Sequence, residues 1–69
     1  MIINDILNTL PTSPRLLLVV YSGEKILYIG TDRAMPEEIA KREVESYSIN
    51  KVLNVNGDSK IARMQFYVF

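Results

Sequence analysis

Apolar residues recur along this chain in short bursts whose spacing changes from one burst to the next. In MIINDILNTLPTSP, Ile3, Ile6, Leu7 and Leu10 fall at helical spacing, and Asn4 is a residue type that caps helices. Pro11 and Pro14 end the run by removing donors and restricting the residues before them, which predicts a helix of about two turns. The next stretch, RLLLVVYSGEKILYIGT, holds two runs rich in Val, Ile, Leu and Tyr around Ser22, Gly23, Glu24 and Lys25. Gly23 supplies the positive φ of a tight hairpin turn, with Ser22 opposite Lys25. Counting back from that turn pairs Tyr21 with Ile26, Val19 with Tyr28 and Leu18 with Ile29. One face then carries Leu16, Leu18, Val20, Leu27 and Ile29, the other Leu17, Val19, Tyr21, Ile26 and Tyr28, and both are apolar.

A charged segment follows, AMPEEIAKREVESYSI. Pro36 suits the first position of a helix, Glu37 and Glu38 its positive end, Lys41 and Arg42 its negative end, and each glutamate precedes a cation by four. Met35 and Ile39 would pin this helix to the core. Beyond Arg42 the helical period fails, so a strand is expected from about Glu43. Asn56-Gly57 is a strong hairpin signal, and opposing Val55 with Asp58 sets Tyr47 against Phe66 and Ile49 against Met64. These four, with Leu53 and Val68, form a predicted core face. Val44, Ser46, Ser48, Asn50 and Val52 are expected to point outward beside Ile61, Arg63, Gln65, Tyr67 and Phe69.

The predicted order is α-β-β-α-β-β: a two-layer α+β fold, with two short helices on one face of a small antiparallel sheet of about four strands. No repeat or linker divides the chain, so residues 1–69 are expected to form one domain. Strand order does not follow from the pattern.

Composition narrows the chemistry. A chain of 69 residues has a thin core, and the absence of cysteine and histidine removes disulfides, thiolates and the commonest zinc ligand and neutral-pH base. Eight basic and eight acidic residues cancel, and Arg15, Lys25, Arg33, Lys51, Lys60 and Arg63 are scattered singly, unlike the basic face of a nucleic-acid binder. Leu16 to Tyr21 is too short an apolar run to cross a bilayer, and no signal-peptide series stands at the start, so a soluble cytoplasmic protein without membrane contact is expected.

Candidate sites resolve mostly into ordinary structure. Glu37 and Glu38 are adjacent on a helix and point about 100° apart, so they do not converge for acid-base work. NVNGDSK has the oxygens of a calcium loop without its spaced carboxylates or closing glutamate, and reads as turn chemistry. GTDR, residues 30 to 33, reads as a connection rather than an anion nest. Thr12, Ser13 and Ser22 have no histidine to activate them. No catalytic, metal or cofactor-binding residue is expected, and no enzyme activity.

GEKILYIGTDRAMPEEIAKREVESYSI, with the short helix before it, resembles a group of very short proteins encoded by phages and prophages of Gram-positive bacteria. The resemblance rests on Tyr28 two before Gly30, on Met35, Pro36, Glu37 and Glu38, and on Glu43 with Val44. The chain departs from the group in having Met35 where a larger aliphatic is usual and in a longer final hairpin. The group implies a phage setting and no established activity.

Tyr47 and Phe66 read as core, whereas Tyr21, Tyr28, Tyr67 and Phe69 fall on the face that the helices leave bare. Tyrosine brings large apolar area with a polar tip, and an exposed patch of this kind marks a contact surface. Leu17, Val19, Tyr21, Ile26, Tyr28, Tyr67 and Phe69 are therefore the candidate interface. The expected function is a non-enzymatic protein-interaction module that binds itself, most simply as a homodimer, and in a phage setting modulates or inhibits a host protein. The alternative is a nucleic-acid-associated regulator in which an oligomer gathers Arg15, Lys41, Arg42 and Arg63 into one surface. A third possibility is a subunit that completes an enzyme's site.

Overall fold

The run from Leu16 to Tyr21 is apolar at successive positions, so a strand built from it gains most at the centre of a sheet, where both of its sides meet neighbours. The computed structural model, which describes residues 1–69 except for the side chain of Val55, puts it there. Helix α1 (Ile3–Thr9) leads into strand β1 (Thr12–Ser22), which turns into β2 (Lys25–Thr31). One turn of 3-10 helix (Asp32–Ala34) and the short helix α2 (Glu37–Ala40) precede the final hairpin of β3 (Val44–Val55) and β4 (Asp58–Val68). The strands lie in the order β2-β1-β4-β3. Both hairpins are antiparallel, but β1 and β4 run parallel, so the sheet is mixed and not purely antiparallel as expected. The reason is the route of the chain: it leaves β2 at one edge and enters β3 at the other, which brings the first and last strands together in the middle.

One core binds these elements. Leu16, Leu18 and Val20 of β1 meet Ile61, Met64, Phe66 and Val68 of β4, and Ile3 and Ile6 of α1 cover them. Leu7, Leu10, Met35 and Ile39 pack around the margin, so the two anchors expected for the second helix do reach the core. Helix α1 begins at Ile3 with Ile2 in the capping position, which places Asn4 inside the helix rather than at its cap. The chain ahead of the helix is held elsewhere: the Val44 N–H donates to the Met1 carbonyl at 2.8 Å, Ile2 bridges Glu43, and the Met1 ammonium pairs with the Glu43 carboxylate. Pro36 caps α2 instead of opening it, its carbonyl accepting from Ile39 at 3.0 Å and Ala40 at 3.1 Å. Of the two predicted ion pairs only Glu37 with Lys41 forms, at 3.0 Å, while Arg42 Nη1 donates to the main-chain oxygen of Phe69 at 3.0 Å.

Both turns form where the sequence calls for them. Ser22 faces Lys25, and Val55 faces Asp58 across Asn56 and Gly57. Asn56 and Gly57 are both left-handed, at φ 53° and 83°, the pair of conformations that a two-residue turn needs to follow the twist of its strands.

Within the two hairpins, four irregularities decide which way side chains point. In the first hairpin Tyr21 opposes Ile26 but Val20 opposes Tyr28, so Leu27 is an extra residue on β2. Every side chain beyond it changes face relative to regular pairing: Ile29 stands opposite Val19, and Gly30 opposite Leu18. In the second hairpin Ile49 opposes Met64, Lys51 opposes Arg63 and Val52 opposes Ile61, so Asn50 is extra on β3 and Ala62 on β4. The two bulges cancel, which is why the predicted pairs Tyr47 with Phe66 and Ile49 with Met64 hold at one end and Val55 with Asp58 at the other. In the distal half they exchange faces: the pair Val52 and Ile61, expected outward, turns to the helix side where Ile61 is buried, and Leu53 with Lys60 turns away from it. A further shift at Glu45 turns Val44 inward against the core, correcting its predicted outward position.

The start of β1 is bent. From Thr12 opposite Ile61 to Leu17 opposite Arg63, β1 advances five residues while β4 advances two, and Pro14 lies in the excess. Residues 58 to 60 of β4 have no partner on β1, so the tip of the second hairpin extends beyond the four-stranded body as a two-stranded ribbon. A twelve-residue strand at about 3.3 Å per residue spans about 40 Å, which accounts for the long axis of a molecule measuring 36 × 20 × 20 Å.

Candidate interaction surface

The face of the sheet away from the helices is built from three cross-strand rows. Read from β2 to β3 they are Thr31, Leu17, Arg63, Lys51, then Ile29, Val19, Gln65, Ser48, then Ile26, Tyr21, Tyr67, Ser46. Each row is apolar or aromatic at β1 and polar at β3, and at β2 two of the three carry isoleucine and one Thr31. The apolar surface of this face therefore covers one half of it, bounded by Tyr67 on β4. The Tyr21 and Tyr67 rings stack across the parallel pair, with centroids 5.3 Å apart and planes 15° from parallel, and the Tyr67 hydroxyl donates to Gln65 Oε1 at 3.1 Å. Val19, flanked by Ile29 and Gln65, is only 6% exposed although no helix covers it.

Five of the candidate interface residues, Leu17, Val19, Tyr21, Ile26 and Tyr67, come together on this face. Phe69 lies just past the end of β4 and is 69% exposed. Tyr28 is displaced: the Leu27 bulge sets it opposite Val20 on the helix side, where it packs against the core. Its place is taken by Ile29, 59% exposed, which regular pairing had assigned to the core face. No residue type in the segment announces that bulge, so an alternating count could not find Ile29.

The structure also explains why an aromatic stands two residues before Gly30. Gly30 has φ +156°, and a Cβ built on it would lie 2.6 Å from the Tyr28 hydroxyl oxygen and 3.0 Å from Cζ. The ring therefore lies along the strand in the space left by the missing side chain, and its hydroxyl donates to the Thr31 carbonyl at 2.6 Å. GTDR continues from there as strand end and 3-10 turn.

A second apolar strip emerges on the other side of the sheet. Tyr47 and Ile49 share rows with Phe66 and Met64, yet each is 44% exposed, because β3 is an edge strand and the helices do not reach over it. Tyr47 retains a tilted contact with Phe66 at 5.8 Å. These residues and Leu53 were expected in the core, whereas Ile61, expected outside, is buried.

The four cations that could mark a nucleic-acid surface are separated in the single chain: Arg63 lies on the helix-free face, Arg15 on the bent start of β1, and Lys41 and Arg42 follow α2 with the partners given above. Among the described residues there is no pocket and no cluster of acidic side chains able to hold a metal ion. Asn54 and Ser59, from the stretch with calcium-loop oxygens, bond to each other across the hairpin at 2.7 Å. Among the described residues, no helix is long and apolar enough to cross a membrane. The chain matches no protein-family model, no curated protein and no solved structure.

Proposed function

We propose that this protein is a small non-enzymatic interaction module that associates with itself and acts by binding another protein, in a two-layer fold whose helix-free sheet face is the contact surface. The reading is carried by one observation: Leu17, Tyr21, Ile26, Ile29 and Tyr67 form a continuous apolar and aromatic area that its own helices leave uncovered. Aromatic residues at the centre of such a patch contribute large contact area at small entropic expense. On this reading, which draws on the sequence resemblance to short phage and prophage proteins, it works in the cytoplasm of a bacterial host and its further partner is a host factor.

The test is a double substitution, Leu17→Asp with Tyr67→Glu, which places charge in the patch without touching the helix-side core. Sedimentation equilibrium should report a smaller species than wild type, with the far-ultraviolet circular dichroism unchanged. An unaltered mass overturns the reading.

A further inference from the structure

We infer that the outer edge of β3 is a second self-association site, at which two copies pair antiparallel through β3 about a twofold axis at Ser48, merging two four-stranded sheets into one of eight strands. This takes self-association from the reading above and adds a separate surface for it. A free strand edge carries unpaired N–H and C=O groups, and proteins blunt it with proline, charge, bulges or brevity. Here the edge belongs to a twelve-residue strand without proline. Its bulges, at Glu45 and Asn50, bound the regular segment from Ser46 to Ile49.

About Ser48 the stretch from Glu45 to Lys51, which includes both bulges, is complementary to its own reverse. With Ser48 on the axis, Ser48 meets Ser48, Tyr47 of each copy meets Ile49 of the other, Ser46 meets Asn50, and Glu45 comes beside Lys51. Serine with serine, aromatic with β-branched and opposite charges are pairings that stabilise neighbouring strands. A twofold perpendicular to the sheet keeps the helix sides together, so the two Tyr47–Ile49 pairs extend the rows Phe66–Tyr47 and Met64–Ile49 across the seam and cover side chains that are half exposed in one chain. Glu45 and Lys51 are both exposed, and neither has an ion-pair partner among the described residues.

Neighbouring registers fail. An axis at Tyr47 sets Glu45 against Ile49, and an axis at Ile49 sets Lys51 against Tyr47. An axis between residues opposes a helix-side residue to a helix-free one, which ladder geometry does not allow. The interface is isologous, so each contact occurs twice and a single charge reversal is felt at both ends.

The test uses Glu45→Lys and Lys51→Glu, each alone and then mixed in equal amounts. Either variant alone brings like charges together twice and should sediment as a smaller species than wild type. In the mixture both contacts again join opposite signs, and the wild-type mass should return. Because the chain has no cysteine, Ser48→Cys should form a disulfide-linked dimer on mild oxidation, while Asn54→Cys, on the ribbon, should not. The inference is overturned if either charge variant keeps the wild-type mass, if mixing restores nothing, or if Asn54→Cys crosslinks as readily as Ser48→Cys. The Leu17→Asp, Tyr67→Glu protein separates this from the reading above: it should retain a dimer that Glu45→Lys then dissociates, and a monomer from the double substitution alone removes the edge site and leaves the face.

Discussion

The two faces of this sheet are built from similar residues and meet different fates. On the helix side Leu18, Val20, Met64 and Phe66 are fully buried, but Tyr47 and Ile49 in the same rows are half exposed. On the helix-free side Ile26 and Ile29 stand open to solvent, while Val19 between them and β4 is nearly as buried as the core. The face a residue points to is thus only half of the rule. A side chain on β1 or β4 has strand neighbours on both sides, whereas one on β2 or β3 has them on one side only. In a sheet of four strands half the strands are edges, and two short helices cannot extend over them.

The largest expected effect is at the centre of the covered face. Phe66→Ala removes a fully buried ring, a change that costs about 3–5 kcal/mol, and a core in a chain of this length supplies only about 3–5 kcal/mol in all. The variant should show no cooperative urea transition at 25 °C; a folded baseline would mean that stability comes from the association surfaces instead. Next is the device that keeps Tyr28 on the helix side. Gly30→Ala forces a side chain into the ring's space at a positive φ and should destabilise by about 1–3 kcal/mol, with a smaller loss in a Tyr28→Phe background, where the oxygen nearest the added carbon is gone. Equal losses in the two backgrounds would show that the backbone alone carries the strain. The smallest effects compare centre with edge. Val19→Ala should cost about 1–2 kcal/mol for the methyl groups returned to water, although it lies on the uncovered face, and Val52→Ala on edge strand β3 should stay within about 0.5 kcal/mol. If urea denaturation finds the two alike, the distinction between central and edge strands fails.

The element types were legible because they depend on neighbours in sequence. Helical spacing in Ile3, Ile6, Leu7 and Leu10, the two turns at Gly23 and at Asn56 with Gly57, and the anchoring of the second helix by Met35 and Ile39 all appear as read. Most of the bare-face patch was legible too, since Leu17, Val19 and Tyr21 alternate with core residues on a strand whose register is set by position alone. Tyr28 and Ile29 exchanged places because a bulge adds one residue to the count, and a period of two turns that single residue into a change of face. Ile61 and Val44 moved inward for the same reason.

By itself the chain determined its local conformations: which segments coil, which extend, where they turn, and that β1 would be apolar on both sides. Only tertiary structure decided that β1 and β4 lie parallel at the centre, where the bulges fall, and hence which apolar side chains end under a helix and which at an edge. Those outcomes depend on contacts between residues far apart along the chain, whose pairing is chosen by the shape of the whole core and leaves no periodic mark in any one segment.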